Sequence, residues 1–449
     1  MPRPAEPWRA LRWGAALALA LAILFAGPAR AQENPTVVIE GAGGSAYKAA
    51  VQRFGGGDAA LAQRFREEIG KGLEFSSLFS VLSPEAFLAS DITRGLGEPV
   101  VCPDWRQIGT DVLVAGMLRR EAGGGLGVDF EAWDTSRCQK LVAKHYSGGA
   151  KDEKRLARRV ADEVVGALTG KPGVSSTEAA FISNRDGAKE LYLMDVDGSN
   201  VRQVTRNKTI NEFPSWGPDG DTLLYTSYRE NRMPGLFVLS RGGARSPGRV
   251  FKNLHAGASQ YRGVIDPTGQ KVAVVMSIDG STKIFSVDRD GRNPRQLTDG
   301  KSLEVSPAWS PDGSRIAFVS DRSGGPQVYV MNADGSSPKR LTFQGSYNTG
   351  ASWSPDGKWI AYESRVGGQY DIWLVDPDGN TNVPLVEHPA SDESATWSPD
   401  SRKIMFSSKR RGRADLYVVD IQGGTPRRVT QGEGDATSPA WGPYRPELR

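Results

Sequence analysis

Trp309-Ser310-Pro311-Asp312-Gly313 recurs as Trp353-Ser354-Pro355-Asp356-Gly357, then as Trp397-Ser398-Pro399-Asp400-Ser401, and ends as Trp441-Gly442-Pro443, each tryptophan 44 residues after the last. Upstream, Trp216-Gly217-Pro218-Asp219-Gly220 is a further copy and Ile265-Asp266-Pro267-Thr268-Gly269 a degenerate one, which makes six. A fixed period of this length, in units that each read as four short strands, is the mark of a propeller blade. In the unit around Trp309, Ser306 to Trp309 is the first strand and Arg315 to Ser320 the second, with Ile316, Phe318 and Val319 apolar. Gln327 to Met331 is the third, and Lys339 to Thr342 a short fourth. Proline presets the turn that follows the first strand, and Asn332-Ala333-Asp334-Gly335 closes the later one. One blade leaves both faces bare, so blades stack around an axis and cover one another. A linear β-solenoid is disfavoured because its repeats are shorter.

The ends of the repeat region argue for closure. Ala180 to Ser183 matches a second strand with no first strand before it, and Ser438 to Trp441 is a first strand with nothing after it. The C-terminal strand is therefore expected to complete the blade that begins near residue 179, giving a six-bladed, all-β propeller over 179–449.

Residues 32–170 have a different texture and read as a small α/β domain, joined to the propeller by a turn-rich linker at 171–178. Thr36 to Ile39 and Phe79 to Leu82 are strand-like, as are Asp111 to Leu118, Val128 to Trp133 and Lys140 to Tyr146. Asp58 to Gly70 is expected to be helical, with Leu61, Phe65 and Ile69 on one face, and so is Asp152 to Leu168, with Leu156, Val160, Val164 and Leu168 aligned. Ser83-Pro84-Glu85 reads as a helix start.

Residues 1–31 carry Arg3, Arg9 and Arg12, an apolar run from Trp13 to Phe25, and Ala29-Arg30-Ala31, the pattern of a cleaved export signal with the mature chain beginning at Gln32. The alternative is an uncleaved anchor. No later segment is long and apolar enough to cross a membrane, so membrane contact is expected only through partners. Those 31 residues hold four arginines against one glutamate, so the formal charge of +4 falls to +1 beyond them. That excludes the basic footprint of a nucleic-acid binder. Cys102 and Cys138 are the two cysteines. In an oxidising compartment a disulfide between them fits, and two separate buried thiols fit equally.

No catalytic or cofactor motif stands up to its context. Gly41-Ala42-Gly43-Gly44-Ser45-Ala46 matches a dinucleotide fingerprint, but no βαβ unit follows it. There is no G-x-S-x-G elbow, and His145, His255 and His388 are scattered. Asp195-Val196-Asp197-Gly198 and its relatives at Asp288 and Asp376 lack the distal ligands of a calcium loop and read as turns. No enzyme activity, cofactor or metal site is expected.

The loops on one propeller face draw more attention. Loops after the second and fourth strands of each blade open on the same face. The second-strand exits carry Arg185, Arg229, Arg322 and Arg410. Just before or within the innermost strands lie Glu212, Glu304, Asn348, Asp392, Glu393 and Asp435, with Tyr347 beside them. This pattern is expected to place acidic and amide groups around the channel mouth and arginines further out, a polar rim for a protein partner or basic peptide. Plain solvated loop charge and a cation in the channel are the competing readings. The longest gap between repeats carries His255, Gly257, Ala258 and Tyr261 on the same face, a candidate contact loop.

Phe79-Ser80-Val81-Leu82, the run from Trp105 to Gly116 and the run from Ala161 to Gly173, in this order ahead of the repeats, resemble the TolB family. The resemblance implies a periplasmic, monomeric, non-enzymatic component of the Tol–Pal system, which supports outer-membrane integrity and cell division. It implies docking of a Pal-like lipoprotein on the propeller and contact with a TolA-like inner-membrane protein through the N-terminal region. The loop holding His255 would take the place of a Pal-contacting histidine loop, although it is longer here. Gln32, Glu33, Asn34, Thr36 and Val37 would fall in the segment that signals Pal occupancy. The alternative is a secreted propeller that binds another peptide or an envelope polysaccharide.

Overall fold

The computed structural model describes residues 46–445 apart from 94, 122, 243–247, 250–257 and 279, with the backbone alone at 150, 248 and 249. The export signal, the strand expected over Thr36 to Ile39, the segment Gln32 to Val37, and His255 and Gly257 lie outside the described residues.

The first region is a five-stranded sheet. Its strands are β1 (Tyr47–Val51), β2 (Phe79–Val81), β3 (Val112–Arg120), β4 (Leu126–Asp134) and β5 (Gln139–Gly148), in the order β2-β1-β3-β4-β5. β1 runs parallel to both of its neighbours, whereas β3, β4 and β5 form an antiparallel meander. Side chains alternate across β1. Ala49 and Val51 face helices α1 (Ala59–Phe75) and α3 (Glu153–Thr169), while Ala50 faces the short helix α2 (Cys102–Gln107) with Trp105 and Leu113. Asp58 caps α1 by accepting from the Leu61 N–H at 2.8 Å.

The sequence pattern misses β1 and α2, and it ends α1 too early. The buried stripe of α1 continues through Leu73 and Phe75. Gly72 lies so close to α3 that a Cβ there would stand 2.7 Å from that of Ala161. Ser83-Pro84-Glu85 opens only a single 3-10 turn, Pro84–Ala86, because Phe87 leaves the axis to pack edge-on against Trp105. Cys102, at the head of α2, is disulfide-bonded to Cys138 in the β4–β5 turn, with Cα atoms 5.8 Å apart.

The second region is a six-bladed β-propeller. Five blades are consecutive four-stranded antiparallel sheets, and the sixth is a splice. In the splice Ala436–Trp441 lies against Glu178–Ser183, followed outward by Glu190–Asp195 and Arg202–Gln203. The other innermost strands are Asn211–Trp216, Ser259–Ile265, Glu304–Trp309, Asn348–Trp353 and Asp392–Trp397. Joining the first and last strands of the propeller in one sheet leaves no open blade edge at the closure. Apolar side chains fill the seams between blades, for example Ala317, Val328, Trp353, Tyr362 and Trp373 between the blades of Glu304 and Asn348.

The segment between the two regions is turn-rich, but it is also buried. Asp162, on α3 and 1% exposed, accepts from the backbone N–H of Ser175 at 2.8 Å, from that of Ser176 at 2.9 Å and from Ser175 Oγ at 2.7 Å. Phe75 and Val174 share one apolar cluster with Phe181, Met405, Val418 and Trp441 of the propeller. The α/β region thus sits on the propeller rather than swinging from it.

Candidate functional site

Each propeller strand order defines two faces. The Pro-Asp-Gly turns open on one, the proline face. The hairpins between second and third strands and the crossings between blades open on the other, the crossover face.

The charge pattern at the crossover face is largely internal. Innermost strands begin with Asn211, Glu304, Asn348 and Asp392, all buried, and each pairs in register with a serine at the second-strand exit, as Glu304 does with Ser320 and Asp392 with Ser408. A carboxylate without water needs partners inside the protein. Glu304 accepts from Ser320 Oγ and Arg322 Nη2, both at 3.0 Å. Asp392 accepts from Arg410 Nη2 at 3.1 Å on each oxygen. Burial pushes both carboxyl groups up from their ordinary value, and the arginine and serine donors oppose it. Arg322 and Arg410 also lie over aromatic rings of their own blades, Tyr329 and Tyr417, as Arg229 lies over Phe237.

The amides link one blade to the next. Asn348 donates to Gln327 Oε1 at 2.8 Å, and Asn211 donates to Glu190 Oε2 at 3.0 Å. Of the groups expected on the rim, Asn348 is buried in the seam between blades, Glu304 is buried and paired within its own blade, and Ala258 of the candidate loop is 7% exposed. The sequence shows a charge at a loop edge but not the partner across the blade that claims it.

What remains accessible on this face is partly polar and partly apolar. Glu212 pairs with Lys189 at 3.0 Å, and Glu393 with Lys409 at 3.6 Å. Asp435 accepts from the Ala414 N–H at 3.0 Å and from Asn184 Nδ2 at 3.1 Å. Tyr261 donates a long hydrogen bond to Thr282 Oγ1 at 3.4 Å. Ile210, Met233, Leu303, Phe343, Tyr347 and Val366 are exposed here, Phe343 at 69%. Tyr347 meets Tyr370 edge-on with ring centroids 5.9 Å apart, next to Val366. Of these, sequence reading found only Tyr347. The signal was available, since Leu303 and Tyr347 each directly precede the first residue of an innermost strand.

The α/β region occupies the proline-face side of two blades. Arg158, buried on α3, ion-pairs with Glu68 at 3.4 Å, with Asp195 at 3.2 Å and closely with Asp197. Lys403 Nζ reaches Asp420 at 2.7 Å and Ser77 Oγ at 2.8 Å. Trp441 Nε1 donates to Thr177 Oγ1 at 2.9 Å. The Asp-x-Asp-Gly turn at Asp195 therefore serves as a docking point for α3. Among the described residues no three His, Cys, Asp or Glu side chains converge as a metal site.

Along the axis runs a cavity of about 480 Å³, lined by the innermost strands and by Pro218, Pro267, Pro311, Pro355, Pro399 and Pro443. Arg262 and Phe213 project into it.

Comparison with known proteins agrees with this architecture. A family model described as the TolB beta propeller domain matches residues 165–445, and one described as the TolB amino-terminal domain matches residues 35–141. The chain is 38% identical over 298 residues to the Tol-Pal system protein TolB of Anaeromyxobacter dehalogenans, covering 66% of this chain and 67% of that one. It is 34% identical over 309 residues to the protein TolB homolog of Chlorobium luteolum, covering 67% and 68%. The crystal structure of TolB from Acinetobacter baumannii has the same fold, with a TM-score of 0.74 at 24% identity over 89% of this chain and 98% of that one.

Proposed function

The chain belongs to the TolB family of the Tol–Pal system, and on that premise we propose that it acts by reversible protein binding, with a Pal-like lipoprotein docking on the crossover face. The observation that carries this reading is the gathering of Phe343, Tyr347, Val366 and Leu303 at that face, all exposed, beside the half-exposed Glu393 and Arg322. Exposed apolar side chains ringed by polar ones suit a protein interface, where aromatic anchors supply most of the binding energy. The α/β region covers the opposite side of two blades, so it leaves this face accessible.

The same reading assigns export to the periplasm, removal of residues 1–31, and contact of the N-terminal region with a TolA-like inner-membrane protein. The protein supports outer-membrane integrity and division through these partners and catalyses nothing itself. The loop holding His255 and Tyr261 and the segment Gln32 to Val37 belong to the proposed contact set.

The test is capture from a detergent extract of the cell's own envelope with residues 32–449 as bait. Recovery of a lipoprotein with a peptidoglycan-binding domain supports the reading. Recovery of a different peptide or a polysaccharide in its place contradicts it.

A further inference from the structure

Every innermost strand carries a bulge three residues before its tryptophan position, and the residue there has left-handed backbone geometry. The six are Phe213, Arg262, Ser306, Gly350, Ser394 and Ser438, with φ between 48° and 67°. Left-handed geometry is costly for side chains with a Cβ and is kept where the surroundings demand it. Four of the six are serine or glycine, which keeps the axis open. Phe213 and Arg262 are large, they stand on adjacent blades, and the guanidinium lies over the ring 4.8 Å from its centroid.

The Arg262 guanidinium has no hydrogen-bond acceptor and no ion pair within 4 Å among the described residues. The Glu363 carboxylate acts on it only at longer range, its own Oε1 accepting from the Ser394 N–H at 2.8 Å. Desolvation lowers the Arg262 pKa from its ordinary value and the Glu363 carboxylate opposes it, while the side chain stays partly exposed along the cavity. A guanidinium presents five N–H donors in a planar fork, and leaving them unmatched away from bulk water is unfavourable. The wall around it mixes polar groups, such as Ser352 and Thr396, with apolar surface from Phe213, Trp353, Trp397 and the prolines of the turns.

We propose that the propeller channel binds a small carboxylate with an apolar body. Its carboxylate takes a bidentate pair of hydrogen bonds from Arg262, and its body lies against the tryptophan and proline wall. The fork geometry matches a carboxylate, and a cavity of about 480 Å³ lies within the range of small-molecule sites. The charged group without an ion pair that the channel offers is positive, so the ligand it calls for is an anion. The lining runs from the bulge residues to the proline turns, which places the site in the proline-face half of the channel.

The channel tryptophans report occupancy, so the test is a fluorescence titration of residues 32–449 with hexanoate, with its neutral amide hexanamide and with an acetylated aspartyl peptide. The expected result is saturable quenching by hexanoate, none by hexanamide, and affinity weaker by about tenfold or more in Arg262→Gln, with Arg262→Lys in between. Tighter binding of the peptide than of hexanoate would move the carboxylate source from a free small molecule to a polypeptide and overturn the small-ligand assignment. No saturable quenching at millimolar hexanoate, or equal affinity in wild type and Arg262→Gln, would overturn the site. Since Arg262→Gln is informative only if folded, a crystal of the wild-type protein soaked in 6-bromohexanoate gives a second reading. A bromine peak in the channel supports the proposal, and one found only elsewhere rejects it. Phe343→Ala leaves hexanoate binding unchanged, which separates this site from the docking face.

Discussion

Arg410 grips Asp392 from one nitrogen, with Nη2 standing 3.1 Å from each carboxylate oxygen while the Asp392 side chain is fully buried. Removing the guanidinium's partner strands a positive charge that is only 15% exposed. Asp392→Ala is therefore expected to lower the unfolding free energy by about 3–5 kcal/mol. Glu393→Ala, next to it but paired only with the exposed Lys409, is expected to cost less than about 1 kcal/mol. Urea unfolding measures both, and equal losses would contradict the distinction between buried pair and rim.

That distinction marks where the sequence stops being legible. The 44-residue period names the blades, their number and the closure, because turn chemistry and strand patterning repeat locally. Arg322 and Glu304 are also visible as charges at loop edges, but their pairing crosses from one strand to the next and needs the register Glu304 with Ser320 to be known. β1 escaped because Tyr47–Val51 is alanine-rich and short, and its identity as a strand comes from parallel partners far along the chain. The position of Arg262 is legible in retrospect. It falls 44 residues before Ser306, in the column that also holds Gly350, Ser394 and Ser438, but only the bulge turns that column toward the axis.

Asp162 anchors the connecting segment through three hydrogen bonds. Asp162→Ala is expected to destabilise the joint by about 2–4 kcal/mol by leaving buried N–H groups unsatisfied. Limited proteolysis then cuts between residues 170 and 177 well before the blades are attacked. Cleavage at the wild-type rate would show that the apolar cluster of Phe75, Val174 and Trp441 suffices.

Asp219, in a proline-face turn, has its carboxyl lowered to about 2, because hydrogen bonds from Thr222, Arg289 and the Asp221 N–H outweigh the opposing effect of burial. A carboxyl held below its unfolded value near 3.9 adds stability that is fully present above that value and lost as pH falls through about 2. The stability gap between wild type and Asp219→Asn is thus expected to be constant at neutral pH and to close between about pH 4 and pH 2. A gap that persists at the acid end would assign it to lost packing with Arg289 instead.

The Cys102–Cys138 disulfide ties α2 to the β4–β5 turn, 36 residues apart in sequence. Replacing both cysteines with serine is expected to cost the α/β region about 2–4 kcal/mol, while the propeller, which shares neither residue, melts as before. Calorimetry separates the two, and a matched fall in both transitions would mean they unfold as one unit.

The central claim is that the crossover face docks a Pal-like lipoprotein through its apolar patch. The most direct measurement is calorimetric titration of residues 32–449 with the soluble domain of that lipoprotein from the same genome, set beside Phe343→Ala, Tyr347→Ala and, on the proline face, Asp219→Asn. Binding by wild type and Asp219→Asn, with either aromatic variant folded but weaker by about tenfold or more, is the predicted result. Undiminished binding by both aromatic variants would contradict the account.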